Sequence, residues 1–81
     1  MSITAYVVVI DDVNDIRPSY AFLDCWSCEW DASDEHLDAT MHHTYHEATS
    51  SLKEVETTDW FRSYGQKTAR IERWDITATK L

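Results

Sequence analysis

Glycine and proline are nearly missing from this chain, with one of each in 81 residues. That scarcity argues against long irregular loops, so mostly regular structure with short connections is expected. Cysteine is scarce too, at two residues, which excludes a disulfide-built scaffold. The apolar run Tyr6–Ile10 is too short and lacks the basic start of an export signal, so a reducing cytoplasm is the expected compartment. No stretch approaches the ~18 apolar residues of a membrane span. Bases are few, 7 against 15 acids, for a formal net charge of -8. Such a field repels phosphates and anionic headgroups, so neither direct nucleic-acid binding nor a membrane is expected. Nucleophile–base pairs, Gly-rich phosphate loops and carboxylate dyads are lacking as well. The expectation is therefore no enzyme, no cofactor and no metal.

What is present points to a folded domain. Hydrophobic residues make up 43% of the chain, with four Trp and four Tyr, and the length suits one domain over residues 1–81. The charge is uneven. Residues 1–59 hold 13 acids and 2 bases, whereas residues 60–81 hold 5 bases and 2 acids.

One stretch organises the rest. Leu37, Met41, Tyr45, Ala48, Leu52 and Val55 recur at gaps of three and four, which predicts a single helix over 33–56. At about 100° per residue they share an arc of roughly 80°. Ser33 can cap this helix, and Asp34 and Glu35 suit its positive end. On this phase Leu37, Met41, Tyr45 and Leu52 face the core, and His42 and His46 face solvent. His43 and Glu47, four apart on its flank, can pair.

Before the helix, residues 3–10 read as a strand. Val7, Val8, Val9 and Ile10 are apolar on both parities, so it should be central and covered on both faces. Asp11–Pro18 is a polar turn. Asp11, Asp12, Asn14 and Asp15 hint at a calcium loop but lack its ligand spacing, Gly and terminal Glu. Tyr20–Trp30 reads as a second strand pairing with the first. It would put Tyr20, Phe22, Trp26, Cys28 and Trp30 on one face and Ala21, Leu23, Cys25 and Ser27 on the other. After the helix, 60–64 and 68–79 read as a hairpin around Gly65-Gln66-Lys67. In its last strand Ala69, Ile71, Arg73 and Asp75 face one way, and Arg70, Glu72, Trp74 and Ile76 the other. The fold class is α+β: ββαββ, a four-stranded, mainly antiparallel sheet with one long helix on one face. Its uncovered aromatic face would be buried by a second copy or a partner.

Cys25-x2-Cys28 followed by His42-x3-His46 has zinc-finger spacing. The helical phase turns both histidines away from the core stripe, and on a strand the cysteines point to opposite sides. Two thiols and two solvated histidines are therefore favoured over a zinc site. The same cysteines lack the helix N-terminus that a redox thiolate needs. Arg62, Lys67, Arg70 and Arg73 among Trp60, Phe61, Tyr64 and Trp74 suit single-stranded nucleic acid. The preferred reading is that these bases neutralise the acids of residues 1–59. A metal- or nucleic-acid-binding module built on either set is the alternative function.

The favoured function is non-enzymatic binding of a basic, nucleic-acid-binding protein. The candidate contacts are Asp11, Asp12, Asp15, Asp31, Asp34, Glu35, Asp38 and Glu47, with Trp26 and Trp30 on the aromatic face. Carboxylates on a rigid helix can imitate rows of phosphates. In composition, though in no motif, the chain resembles phage-encoded anti-CRISPR and anti-restriction inhibitors.

Overall fold

A computed structural model of the protein describes residues 2–63 and 66–77. Over these the chain forms β1 (Ser2–Asp12), β2 (Ser19–Leu23), β3 (Trp30–Ser33), a 3-10 turn (His36–Asp38), α1 (Tyr45–Glu56), α2 (Asp59–Ser63) and β4 (Lys67–Thr77). The strands make one antiparallel sheet in the order β3-β2-β1-β4. The expected α+β class and four-stranded sheet are therefore present. The strands are distributed differently, three before the main helix and one after it.

β1 is the central element. It pairs with β4 along its whole length, from Ser2 opposite Thr77 to Asp12 opposite Lys67. The β-branched run Val7–Ile10 gives both of its faces apolar side chains, and all four are buried. Val8 and Ile10 join Ala21 and Val55 in one cluster, with Trp30, Leu52, Trp60, Phe61 and Ala69 packed around it. Val7 and Val9 join Ala39 on the other face, with Tyr20 and Trp74 beside them. The expected alternation of the last strand holds, since Ala69 lies in the first cluster and Trp74 in the second. On α1 the apolar spacing Ala48, Ser51, Leu52, Val55 faces the sheet. Small Ala48 and Ser51 let the helix backbone approach the strands closely.

The long helix over 33–56 is not formed: only its second half is α-helical, and its first half holds just the 3-10 turn. Leu37 is 76% exposed, and Met41 and Tyr45 are exposed as well. Leu52 is half-buried and His46 is exposed. The cause lies in the sheet. β2 pairs with β1 only at Val9–Tyr20 and Ile10–Ser19, and the two strands then diverge. Residues 40–42 fill the gap. The Thr40 amide donates to Ala21 O at 3.1 Å, and Tyr6 and His42 exchange backbone hydrogen bonds of 2.9 Å. The Thr40 hydroxyl also accepts from the Leu23 amide at 2.9 Å. Buried strand amides need partners, and this extended segment supplies them. The stripe Leu37–Met41 is given up as a result.

α1 begins instead at Thr44. The Thr44 Oγ1 accepts from the Glu47 amide at 3.1 Å, and Glu47 Oε2 accepts from the His43 amide at 3.3 Å. This is a variant of the reciprocal N-terminal cap written as Thr-x-x-Glu. His43 therefore lies outside the helix, and its link to Glu47 runs through its backbone.

The expected second strand is broken. Asp24 starts a tight turn that ends at Glu29: the Cys28 amide donates to Asp24 O at 2.8 Å, and the Trp26 amide donates to Asp24 Oδ1 at 2.8 Å. Cys28 adopts a left-handed backbone with φ of 57°. Residues 60–63, expected to lie in a strand over 60–64, belong instead to α2, which packs Trp60 and Phe61 against the first core cluster. The expected turn at Tyr64 and Gly65 and the strand end at Ala78 and Thr79 lie outside the described residues.

Candidate functional site

The carboxylates sort into two populations. Among the described residues, every ion pair lies within β1 and β4. Lys67 reaches Asp12 at 3.7 Å, Arg70 reaches Asp11 at 2.7 Å and Glu72 at 2.8 Å, and Arg73 reaches Asp75 at 3.5 Å. The Trp74 indole N–H also donates to Glu72 at 2.7 Å. That bond and the Arg70 guanidinium hold the Glu72 carboxyl below the usual carboxylate range, while Asp11 and Glu72 raise Arg70. Trp60 and Phe61 are half-buried and pack against the first core cluster. Lys67, Arg70 and Arg73 are thus engaged by carboxylates, Arg62 is exposed on α2, and Tyr64 lies outside the described residues.

The second population is different. Residues 18–59 carry ten acids and a single base, Lys53. None of these ten takes part in an ion pair among the described residues. Asp31 lies exposed on the edge strand β3, and Asp34, Glu35 and Asp38 follow around the 3-10 turn. Asp31 Oδ1 accepts from the Ala32 amide at 2.8 Å, and Asp38 Oδ2 from the Ser33 hydroxyl at 2.7 Å. The side chains of Asp34 and Glu35 carry no such bond among the described residues, and both residues are exposed.

The expected acidic set is only partly brought together. Ser33 is opposite Tyr20, and Tyr20 is opposite Val9. Asp34 and Glu35 therefore share one end of the sheet with Asp11, Asp12 and Asp15. There, however, Asp11 and Asp12 are paired with bases, and Asp15 accepts from the Arg17 amide at 3.1 Å. Glu47 is committed to the start of α1. No helical row of carboxylates exists, because 33–44 is not an α-helix.

The expected flat aromatic face is not formed either. Tyr20 packs on the second cluster with Trp74 and His36, at ring separations of 5.8 and 6.4 Å. Trp30 lies on the opposite face, against the helices. Trp26 stands at the tip of the Asp24–Glu29 turn, 93% exposed. Breaking the strand at Asp24 changed the parity on which that face depended.

Cys25, Cys28, His42 and His46 do not converge. Both cysteines are exposed in the tight turn, and His46 is exposed in the first turn of α1. His42 is half-buried, with its ring 6.2 Å from Trp30. This corrects the expectation of a solvated His42. Its Nε2 is buried without a hydrogen-bonding partner among the described residues. Burial lowers its pKa, against the opposing pull of Glu47. No group of three His, Cys, Asp or Glu among the described residues is arranged to hold a metal ion. Nor is any described helix long and apolar enough to cross a membrane.

A groove between the start of β3, the end of α1 and the start of α2 escaped the sequence reading. Its volume is about 510 Å³, and Glu29, Trp30, Glu54, Thr57, Thr58, Asp59 and Trp60 line it. The Trp30 indole N–H donates to Glu54 Oε2, and the Trp60 indole N–H donates to Trp30 O, both at 2.8 Å. Three acids and two indoles from three separate elements thus surround one opening. Comparison with known proteins adds nothing to this geometry: no protein-family model, curated protein or solved structure matches the chain.

Proposed function

We propose that the chain is a non-enzymatic binding protein whose acidic half occupies the basic surface of a nucleic-acid-binding protein. The observation that carries the reading is the charge partition. β1 and β4 neutralise themselves through ion pairs, and the ten acids of residues 18–59 are left with one base and no ion pair among the described residues. Carboxylates without ion-pair partners on a small domain make a negative field, and such a field steers basic partners. The functional class is that of small acidic inhibitors, anti-CRISPR and anti-restriction proteins among them. Imitation of phosphates would come from the β3 edge and the 3-10 turn rather than from a helix. Trp26, projecting from the turn at the other end of β3, is suited to be an apolar anchor along the same edge.

Affinity capture from lysate, with mass spectrometry to identify the partner, supplies the material for the test. Binding should weaken steeply from about 50 to 500 mM salt, as screening shortens the Debye length. Joint reversal of Asp34→Lys and Glu35→Lys should cost about tenfold in affinity at low salt, chiefly through the association rate. Both side chains are exposed and make no hydrogen bond or ion pair among the described residues, so the fold should be unaffected. Trp26→Ala should slow neither folding nor association but speed dissociation. Salt-independent affinity together with a harmless double reversal would refute the reading.

A further inference from the structure

We infer that the groove between β3, α1 and α2 is a receptor for an arginine side chain of a basic protein. The assignment rests on the proposed function, since it names the chemistry of the partner group that this function requires. Its volume, about 510 Å³, lies within the range of small-ligand sites. Its walls determine the class of ligand. Glu29, Glu54 and Asp59 contribute three negative charges, and no base among the described residues lines it. Lys53, adjacent to Glu54 on α1, projects about 100° round the helix from it. An anion is therefore excluded.

The aromatic walls narrow the choice further. Trp30 and Trp60 line the groove, and their indole N–H groups are already donating to Glu54 and to the Trp30 carbonyl. What the rings have left to offer is π surface, which attracts cations and which guanidinium stacks on well. Glu29 and Asp59 accept no side-chain hydrogen bond within the described residues, and Glu54 uses Oε2 and keeps Oε1. Carboxylates from three elements can thus take the several N–H donors of one planar guanidinium. A lysine ammonium offers only three donors and no stacking plane.

The test uses the whole chain and follows its four indole N–H signals by NMR. The probes are N-acetyl-arginine amide, N-acetyl-lysine amide and the neutral isostere N-acetyl-citrulline amide. Arginine amide should give saturable shifts at Trp30 and Trp60 and none at Trp26 or Trp74. It should bind more tightly than lysine amide, and citrulline amide should not bind. The double variant Glu29→Gln, Asp59→Asn removes two charges without breaking a bond of the fold. It should weaken arginine amide about fivefold or more. Equal binding of citrulline amide, tighter binding of lysine amide, or shifts spread over all four indoles would overturn the assignment.

The two readings fail separately. A captured basic partner that binds the double variant with unchanged affinity, while arginine amide leaves Trp30 and Trp60 unshifted, removes the groove assignment alone. Arginine amide seated at Trp30 and Trp60, with no salt-dependent basic partner captured, supports the groove and removes the proposed function.

Discussion

Val55 is the residue on which the placement of α1 can be tested most sharply. It is fully buried between the helix and Val8, Ile10 and Ala21. Val55→Ala removes two methyl-sized groups, about 1.6 kcal/mol of transfer free energy at roughly 0.8 kcal/mol each. A residual void of about 40 Å³ adds roughly 1 kcal/mol. The expected loss is therefore about 2.5 kcal/mol, a large share of the stability of so small a domain. Leu37→Ala is the matched control. Leu37 would sit in the same stripe if 33–56 were one helix, but it is 76% exposed. Its truncation should cost less than about 0.5 kcal/mol. Urea unfolding followed by circular dichroism reads both variants. With a slope near 1 kcal/mol/M, Val55→Ala should move the midpoint by about 2.5 M and Leu37→Ala should hardly move it. A loss above about 1.5 kcal/mol for Leu37→Ala, or below about 0.5 kcal/mol for Val55→Ala, would refute the described packing.

Two further outcomes follow from the structure. His42 has a folded-state pKa below its ordinary 6.5, so below that pH the unfolded chain takes up the proton more readily. The stability it helps maintain is complete above 6.5 and falls as the pH drops towards its folded value. Urea midpoints at pH 7.5 and 5.5 should therefore differ more for the wild type than for His42→Leu, and an equal difference would refute this. Cys28 holds a left-handed φ of 57°, which costs a side-chain-bearing residue about 1–2 kcal/mol. Cys28→Gly should raise stability by up to about 1 kcal/mol after its greater unfolded-state freedom is counted, and a destabilised variant in the same urea assay would contradict it.

The two ends of the chain show why some of the fold was readable. Apolar side chains on both parities of Val7–Ile10 can be satisfied only by a central strand with two covered faces, and β1 has that position. The alternation in β4 likewise assigned Ala69 and Trp74 to opposite faces. Thr44-x-x-Glu47 was a readable start signal for α1, and it was outweighed by the longer periodicity running through Leu37 and Met41. Asp24 was a readable break, since its side chain caps the turn that separates β2 from β3. With that break missed, Trp26 and Trp30 were placed on one face, although the turn sends one to solvent and the other to the core.

Periodicity, parity and charge count are local properties, and they determined the class of fold, the central strand and the acidic surplus. Where residues 33–44 go is decided by a competition that no local pattern records. Divergence of β1 and β2 leaves backbone groups of Tyr6, Ala21 and Leu23 to be satisfied, and the segment 40–42 meets that demand in extended form. The same holds for the groove. Glu29 ends the turn before β3, Trp30 starts β3, Glu54 comes from α1, and Asp59 and Trp60 come from α2. Only the packing of α1 and α2 on the sheet brings these charges and rings around one opening.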